Sequence, residues 1–144
     1  MIKGLVNSGS IPVLERMLQF TTARHDVLAN SIAHLSTPLH RPQDLDPEQF
    51  QASLGRALDQ RRGRANPTEG PLQLNDTRQL RFKEDGIDTR PGFADRNILF
   101  HDRNNRNLER TMQSLAENTM THNASIEMLR NEFEMLRLAI RERI

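Results

Sequence analysis

The chain lacks cysteine, tryptophan and tyrosine, and only 4% of its 144 residues are aromatic. The absence of cysteine excludes disulfides, thiolate metal ligands and thiol catalysis. With 35% hydrophobic residues, a single domain of this length is not expected to enclose a large core of its own. Chains with good helices and few large apolar side chains usually complete their interior with other subunits, so this composition favours an assembling protein.

Long apolar runs and an excess of one charge are also missing. Residues 1–10 include Lys3, Gly4 and Asn7 rather than an apolar stretch, and no segment reads as a membrane span. Neither a cleaved signal peptide nor a membrane anchor is therefore expected. The formal net charge is +1, which argues against nucleic-acid binding by the chain as a whole.

The one basic cluster has no aromatic residue within it for base stacking. It consists of Arg56, Arg61, Arg62 and Arg64. We interpret this cluster as the solvent-exposed end of a helix. An anionic partner surface is the second interpretation, and nucleic acid is the third.

Apolar residues recur in steps of three and four at both ends of the chain. The C-terminal seam is Leu108, Met112, Leu115, Thr119, His122, Ile126, Leu129, Phe133, Leu136 and Ile140. The N-terminal seam is Ile11, Leu14, Leu18, Thr21, His25, Leu28, Ile32 and Leu35. A mean spacing of 3.5 residues is typical of helices that wrap around one another. The seams therefore predict helices that pair with each other or with neighbouring copies, which points to assembly rather than catalysis.

These patterns predict a mainly α fold in one domain covering residues 1–144. An N-terminal helix is expected over 10–36, with Ser10 or Ile11 as N-cap, Pro12 in the first turn and Pro38 ending it. A C-terminal helix is expected over 105–142, where the sequence has neither glycine nor proline. The two long helices are predicted to pair as a coiled coil.

The middle segment, residues 37–104, differs in kind because it carries six of the seven prolines and five of the seven glycines. It is predicted to be an irregular loop that contains one short helix over 47–61. Asp46 is the expected N-cap, Pro47 the first helical residue and Gln49 the partner in a capping box. Two arms, 80–82 and 87–89, flank Asp85-Gly86 and suggest a small β-hairpin.

No catalytic, metal or cofactor site is predicted. The five histidines include no pair four residues apart, the spacing that metal sites on helices commonly use. His25 and His122 lie on the two seams, near Thr21 and Thr119, and they would form one polar layer if the helices pair antiparallel. An enzyme that uses histidines and acidic residues of the middle segment remains an alternative, and it would need a defined pocket.

Three stretches of the sequence resemble the bacterial flagellar rod and hook family. Residues 24–38 read RHDVLANSIAHLSTP, similar to that family's N-terminal motif with its closing threonine and proline. Residues 104–118 and 133–141 resemble its C-terminal stretch. The chain departs from the family pattern at Leu39-His40, where the family usually has a glycine and an aromatic residue, and at Ser31 and His34, where it has asparagines.

The resemblance implies a structural subunit rather than an enzyme, with no cofactor and no small-molecule substrate. It implies a place in the flagellar basal body across the periplasm, reached through the flagellar export apparatus without a cleaved signal peptide. Expected partners are copies of the chain, other rod proteins such as FlgC, the adaptor FliE and the base ring. The expected assembly interface is Leu14, Leu18, Leu28, Asn30, Ile32, Leu35, Leu108, Leu115, Asn118, Ile126, Leu129, Phe133, Leu136 and Ile140.

Two interpretations stay open beside this one. Phe50 and Leu54 match the short phenylalanine-led element that the export gate reads in early substrates of the family, but they equally match simple helix packing. The seams would also suit a soluble helical adaptor or export chaperone that binds partner helices.

Overall fold

The computed structural model describes residues 9–64, 72–83, 86–93 and 108–141, and about two thirds of these residues are helical. Three helices account for them: α1 (Ile11–Ala33), α2 (Pro47–Arg62) and α3 (Leu108–Arg141). Four short strands lie between α1 and α3: β1 (Gln43–Asp44), β2 (Leu80–Phe82), β3 (Ile87–Thr89) and β4 (Gly92–Phe93). The predicted mainly α fold with a long C-terminal helix is confirmed. No helix in this described part is long and apolar enough to cross a bilayer.

Helix α1 begins as its sequence predicts and ends earlier. Ser10 is the N-cap and Pro12 lies in the first turn. The helix ends at Ala33 rather than at residue 36, because the chain tightens into consecutive turns before it reaches Pro38. In those turns the amide of Thr37 donates to the carbonyl of His34.

Helix α2 is capped by Asp46, as predicted. Its carboxylate accepts hydrogen bonds from the amides of Glu48 (2.9 Å) and Gln49 (3.4 Å). The other half of the predicted capping box is wrong, since the amide of Asp46 donates to Oε1 of Gln79 at 2.9 Å instead of to Gln49. A side chain 33 residues away thus completes the cap.

The predicted hairpin is confirmed, because β2 and β3 pair antiparallel with Leu80 opposite Thr89 and Phe82 opposite Ile87. Lys83 Nζ lies 2.6 Å from Asp88 Oδ2 across this hairpin, and the hydrogen bond holds the pKa of Asp88 below its usual value. A second antiparallel pair, β1 with β4, had no sequence signal because each strand has two residues.

The main apolar core joins α1 to the middle segment. Phe20 of α1 stacks on Phe50 of α2, with ring centroids 4.2 Å apart and planes at 2°. The buried members of this core are Phe20, Leu45, Phe50, Leu54, Ala57, Leu72 and Leu80. Six of these seven belong to the middle segment. Phe50, Leu54 and Ala57 lie in its predicted helix, whereas Leu45, Leu72 and Leu80 lie in the part that was expected to be irregular.

Helix α3 packs antiparallel on a second side of α1. Near one end, Ser10 Oγ donates to Glu132 Oε1, and in the middle of α1 Thr21 meets His122. Residue numbers therefore fall along α3 as they rise along α1. Helix α1 therefore lies between the middle-segment core and α3. The predicted start and end of the last helix, residues 105–107 and 142, fall outside the described residues.

Candidate assembly interface

The side of α3 that faces α1 follows steps of four and three residues. The side chains on this face that are buried or half-buried are Thr111, Leu115, Asn118, His122, Ser125, Leu129, Glu132 and Leu136. Three of them (Thr111, Asn118 and Ser125) are small or polar and fully buried. We call these eight residues the covered face of α3.

Hydrogen bonds explain how polar side chains lie on the covered face. Asn118 Nδ2 donates to the carbonyl of Thr21 at 2.8 Å, and Thr21 Oγ1 lies 2.9 Å from His122 Nδ1. Ser125, which is 1% exposed, donates to the carbonyl of Thr121 one turn earlier on its own helix. Burial is tolerated because each of these polar groups has a partner.

The predicted C-terminal seam coincides with only half of the covered face. The two share Leu115, His122, Leu129 and Leu136. The other six members of the seam are Leu108, Met112, Thr119, Ile126, Phe133 and Ile140. All of these are exposed except Ile126, which is half-buried.

Exposed large apolar side chains concentrate on α3. Ten are exposed among the described residues, and eight of these lie on this one helix. The eight are Leu108, Met112, Met120, Met128, Phe133, Met135, Leu138 and Ile140. Soluble chains expose single apolar residues routinely, but a concentration on one element marks an interaction surface.

The N-terminal candidates are more fully covered. Leu14 and Leu28 are buried, Leu18 and Ile32 are half-buried, and Asn30 is exposed. Leu35 is half-buried but lies in the turn after α1, outside the helix on which it was placed. The polar layer proposed for the histidines contains Thr21 and His122, whereas His25 is exposed.

Sequence reasoning missed two contacts that fasten α1 to β1. The guanidinium of Arg24 donates two hydrogen bonds to the carboxylate of Asp44, at 2.7 and 2.9 Å. Two helical turns after Arg24, Ser31 Oγ donates to the carbonyl of Gln43 and accepts from its amide, both at 2.9 Å. Arg24 and Ser31 both lie in the motif that carries the family resemblance, but nothing in the sequence names their partners in β1.

The interpretation of the basic cluster as a solvent-exposed helix end is wrong for one of its members. Arg61 is 3% exposed, and its Nη1 donates to the carbonyl of Gly9 at 3.1 Å. Arg56, Arg62 and Arg64 are exposed. The buried Arg61 faces back towards the start of α1, so the four side chains do not form one continuous basic surface.

Phe50 and Leu54, the candidate export element, are both core residues of the folded chain. Phe50 is buried between Phe20 and Phe82, whose ring centroids lie 4.2 and 6.4 Å from its own. Their burial gives them a packing role in the folded subunit. An export gate would therefore meet these two side chains only in an unfolded chain.

An open groove of about 1310 Å³ runs between the first turns of α3 and the strands β1 and β4. Arg24 and Asp44, which bond to each other, contribute to its lining together with Glu109 and Glu117 of α3. Among the described residues that line the groove there is no histidine. In the described ranges, no three histidine or acidic side chains come together in a metal-binding arrangement.

Comparisons of the chain with known protein families, with curated proteins and with solved structures gave no match.

Proposed function

We propose that this chain is a structural subunit of the bacterial flagellar basal body, most similar to the proximal rod protein FlgB, which assembles by helix packing with neighbouring rod subunits into the drive shaft. The observation that carries the proposal is the exposed apolar part of the α3 seam, which consists of Leu108, Met112, Phe133 and Ile140. These residues extend over most of a helix of about 50 Å. A surface of this kind needs a partner along its whole length.

Burial of that surface would supply the driving force for assembly. Full burial of a leucine, isoleucine, methionine or phenylalanine side chain stabilises by about 1.5–3 kcal/mol. Phe133, Met135 and Ile140 each keep roughly half of their surface exposed, so each has on the order of 1 kcal/mol to gain from a neighbour. In the assembled state the seams of α1 and α3 would pack as the coiled coil that their spacing predicts.

The family resemblance supports the flagellar assignment. Its N-terminal motif covers the second half of α1 and the turn that follows, and its C-terminal stretch covers much of α3, the two elements that face each other. Under this proposal the partners are further copies of the chain, the rod protein FlgC, the adaptor FliE and the base ring. The chain would reach the basal body through the flagellar export apparatus and would be incorporated across the periplasm.

Co-purification tests the location directly. If the proposal holds, mass spectrometry of detergent-resistant basal bodies from the source cells will contain this chain. Its absence there, with the chain soluble in the cytoplasm of flagellated cells, would contradict the rod function and favour the helical adaptor or export chaperone.

A substitution tests the surface. We expect Leu129→Asp to abolish rod assembly and motility while leaving expression intact, because the residue lies where the covered and exposed halves of the seam meet. Asn131→Asp, at an exposed polar position two residues away, is the matched control and should leave motility unchanged.

Because Leu129 also packs towards α1, circular dichroism of the purified variant must show whether the chain still folds. If it does not, Phe133→Asp replaces it, since Phe133 is exposed. Normal motility in a strain that carries the folded variant would contradict the proposal.

A further inference from the structure

Two histidines meet in the turns that follow α1. The ring centroids of His34 and His40 lie 5.4 Å apart, and the two ring planes are inclined at 43°. His34 is the C-cap residue of the helix, and His40 lies where the turns end and the chain leads on to β1. His34 is exposed and His40 is half-buried. The pair therefore lies at the surface of the molecule.

The backbone between the two histidines is folded so that their rings come together. The amide of Thr37 donates to the carbonyl of His34 at 3.0 Å, and the amide of His40 donates to the carbonyl of Thr37 at 3.2 Å. Leu39, directly before His40, has a left-handed backbone with φ +62°. A residue other than glycine keeps this conformation only where the surrounding structure holds it, and such strain is frequent where ligands bind.

The separation of the rings fits two imidazoles that share one metal ion. A histidine nitrogen binds an ion such as Zn²⁺ at about 2.1 Å and its ring centre lies about 1.1 Å further out, so each centre is about 3.2 Å from the ion. Two rings at the tetrahedral angle then have centres about 5.2 Å apart. The observed separation of 5.4 Å is close to this value, so the backbone already holds the rings at a chelating distance.

We propose that His34 and His40 form a binding site for a divalent cation of the late first transition series, namely Cu²⁺, Zn²⁺ or Ni²⁺. Imidazole nitrogens suit these ions, whereas Mg²⁺ and Ca²⁺ require oxygen ligands. Within the described residues, no third histidine or acidic side chain joins the pair, so water completes the coordination. Of the three ions, Cu²⁺ should bind most tightly.

The end of α1 is a favourable place for a cation. The last carbonyl groups of a helix carry a partial negative charge, and α1 has no basic residue in its last turn. Arg41, the residue after His40, holds its guanidinium over the ring of Phe93, 5.1 Å from the ring centre. The helix terminus therefore adds an attraction for an ion bound at its C-cap.

Both histidines stand at positions where the chain departs from the family that its sequence resembles. That family usually has an asparagine in place of His34, and a glycine and an aromatic residue in place of Leu39 and His40. These three departures lie together in the same turns. The site is therefore a property of this chain, and it does not depend on the proposed function.

Titration of the full chain with metal tests the site. The chain is first stripped of metal with EDTA, and it has no cysteine that would compete for the ion. In nuclear magnetic resonance spectra, we expect Zn²⁺ to shift the ring signals of His34 and His40 together and to saturate at one ion per chain. Electron paramagnetic resonance of the Cu²⁺ form should show coupling to the nitrogens of two imidazoles.

Substitutions test each ligand in turn. His34→Asn and His40→Asn should each weaken Zn²⁺ binding, measured by calorimetry, by about tenfold or more, which corresponds to about 1.4 kcal/mol. His25→Asn is the matched control, because it removes an exposed histidine from α1, and it should leave the affinity unchanged. If a variant loses its helical circular dichroism spectrum, the ring signals of the unaltered chain decide the question.

Three results would overturn the proposal. The first is a dissociation constant for Zn²⁺ and for Cu²⁺ weaker than about 1 mM. The second is a shift of only one of the two ring signals. The third is an affinity that falls no further in folded His34→Asn and His40→Asn than in His25→Asn. Each result would mean that the two rings touch only as ordinary packing.

Discussion

At the scale of single residues, Leu39 departs most clearly from ordinary backbone chemistry. It has φ +62°, in the left-handed region, and its side chain is 79% exposed. A residue with a Cβ atom is disfavoured in this region by roughly 1–2 kcal/mol. The strain falls at the position where the family that the sequence resembles usually has glycine.

Replacing Leu39 by glycine should relieve that strain. We expect Leu39→Gly to raise the free energy of unfolding by about 0.5–1 kcal/mol, because the relief exceeds the entropy that glycine adds to the unfolded chain. Urea denaturation monitored by circular dichroism measures the change. Ser36→Gly, in the preceding turn and with no left-handed backbone, is the control and should destabilise slightly. A less stable Leu39→Gly variant would contradict this explanation.

The bidentate pair between Arg24 and Asp44 shows what sequence reasoning cannot reach at this scale. Taken alone, an arginine in a helix and an aspartate in a turn are both expected to face solvent. Their side chains are nevertheless only 9% and 24% exposed. Which charges become partners depends on the tertiary fold, since the two are 20 residues apart.

At the scale of elements, the covered face of α3 mixes leucines with small and polar side chains, whereas eight large apolar side chains of the same helix are exposed. The predicted seam shares Leu115, His122, Leu129 and Leu136 with the covered face. At its other positions the seam follows apolar residues, whereas the covered face follows small and polar ones. Buried serine and threonine read as solvent-facing in a sequence, although their small size lets two helices approach closely. Ser125 and Thr111 are cases of this kind.

Asn118 should be one of the residues that hold α3 on α1. Asn118→Ala removes the hydrogen bond to the carbonyl of Thr21 and leaves that buried acceptor without it, so we expect a loss of about 1–2 kcal/mol in the free energy of unfolding. Asn123→Ala, at an exposed position on the same helix, should change stability by less than about 0.5 kcal/mol. Equal effects in the two variants, measured by chemical denaturation, would show that the Asn118 hydrogen bond does not contribute to the free energy of unfolding.

Local signals predicted the elements that depend on neighbouring residues. The Asp46 cap and the β2–β3 hairpin follow from a few adjacent side chains, and both are confirmed. Gln79 was missed, although its side chain caps α2 and its carbonyl accepts from the amide of Arg90. No local pattern distinguishes this glutamine from a solvent-exposed one, because both its partners come from other parts of the fold.

At the scale of the whole molecule, helix α1 is the common support. One side packs on the middle-segment core through Phe20, and the other packs on α3 through residues such as Thr21. The sequence predicted that both terminal helices pack against another helix. It left open whether that helix belongs to the same chain or to a neighbouring copy. Periodicity shows that a helix has an apolar side. Which of its apolar residues stay exposed depends on how the other elements of the chain pack against it.

This division of roles separates stability from assembly. Leu28→Ala should lower the free energy of unfolding by about 2–5 kcal/mol, because the side chain is 2% exposed and its loss leaves a cavity. Phe133→Ala should leave the unfolding of the isolated chain nearly unchanged and weaken self-association, measured by sedimentation at increasing concentration. A large loss of stability in Phe133→Ala would mean that the chain uses this residue for its own fold.

The antiparallel contact between α1 and α3 joins the first and last described helices, and Thr21 and Asn118 are 97 residues apart. Contacts so distant in sequence form late, because a long loop must close before they contribute. A ribosome adds roughly 5–20 residues per second, so on the order of ten seconds separate the synthesis of Thr21 from that of Asn118. Throughout that interval the side of α1 that α3 will cover is open to any chaperone in its surroundings.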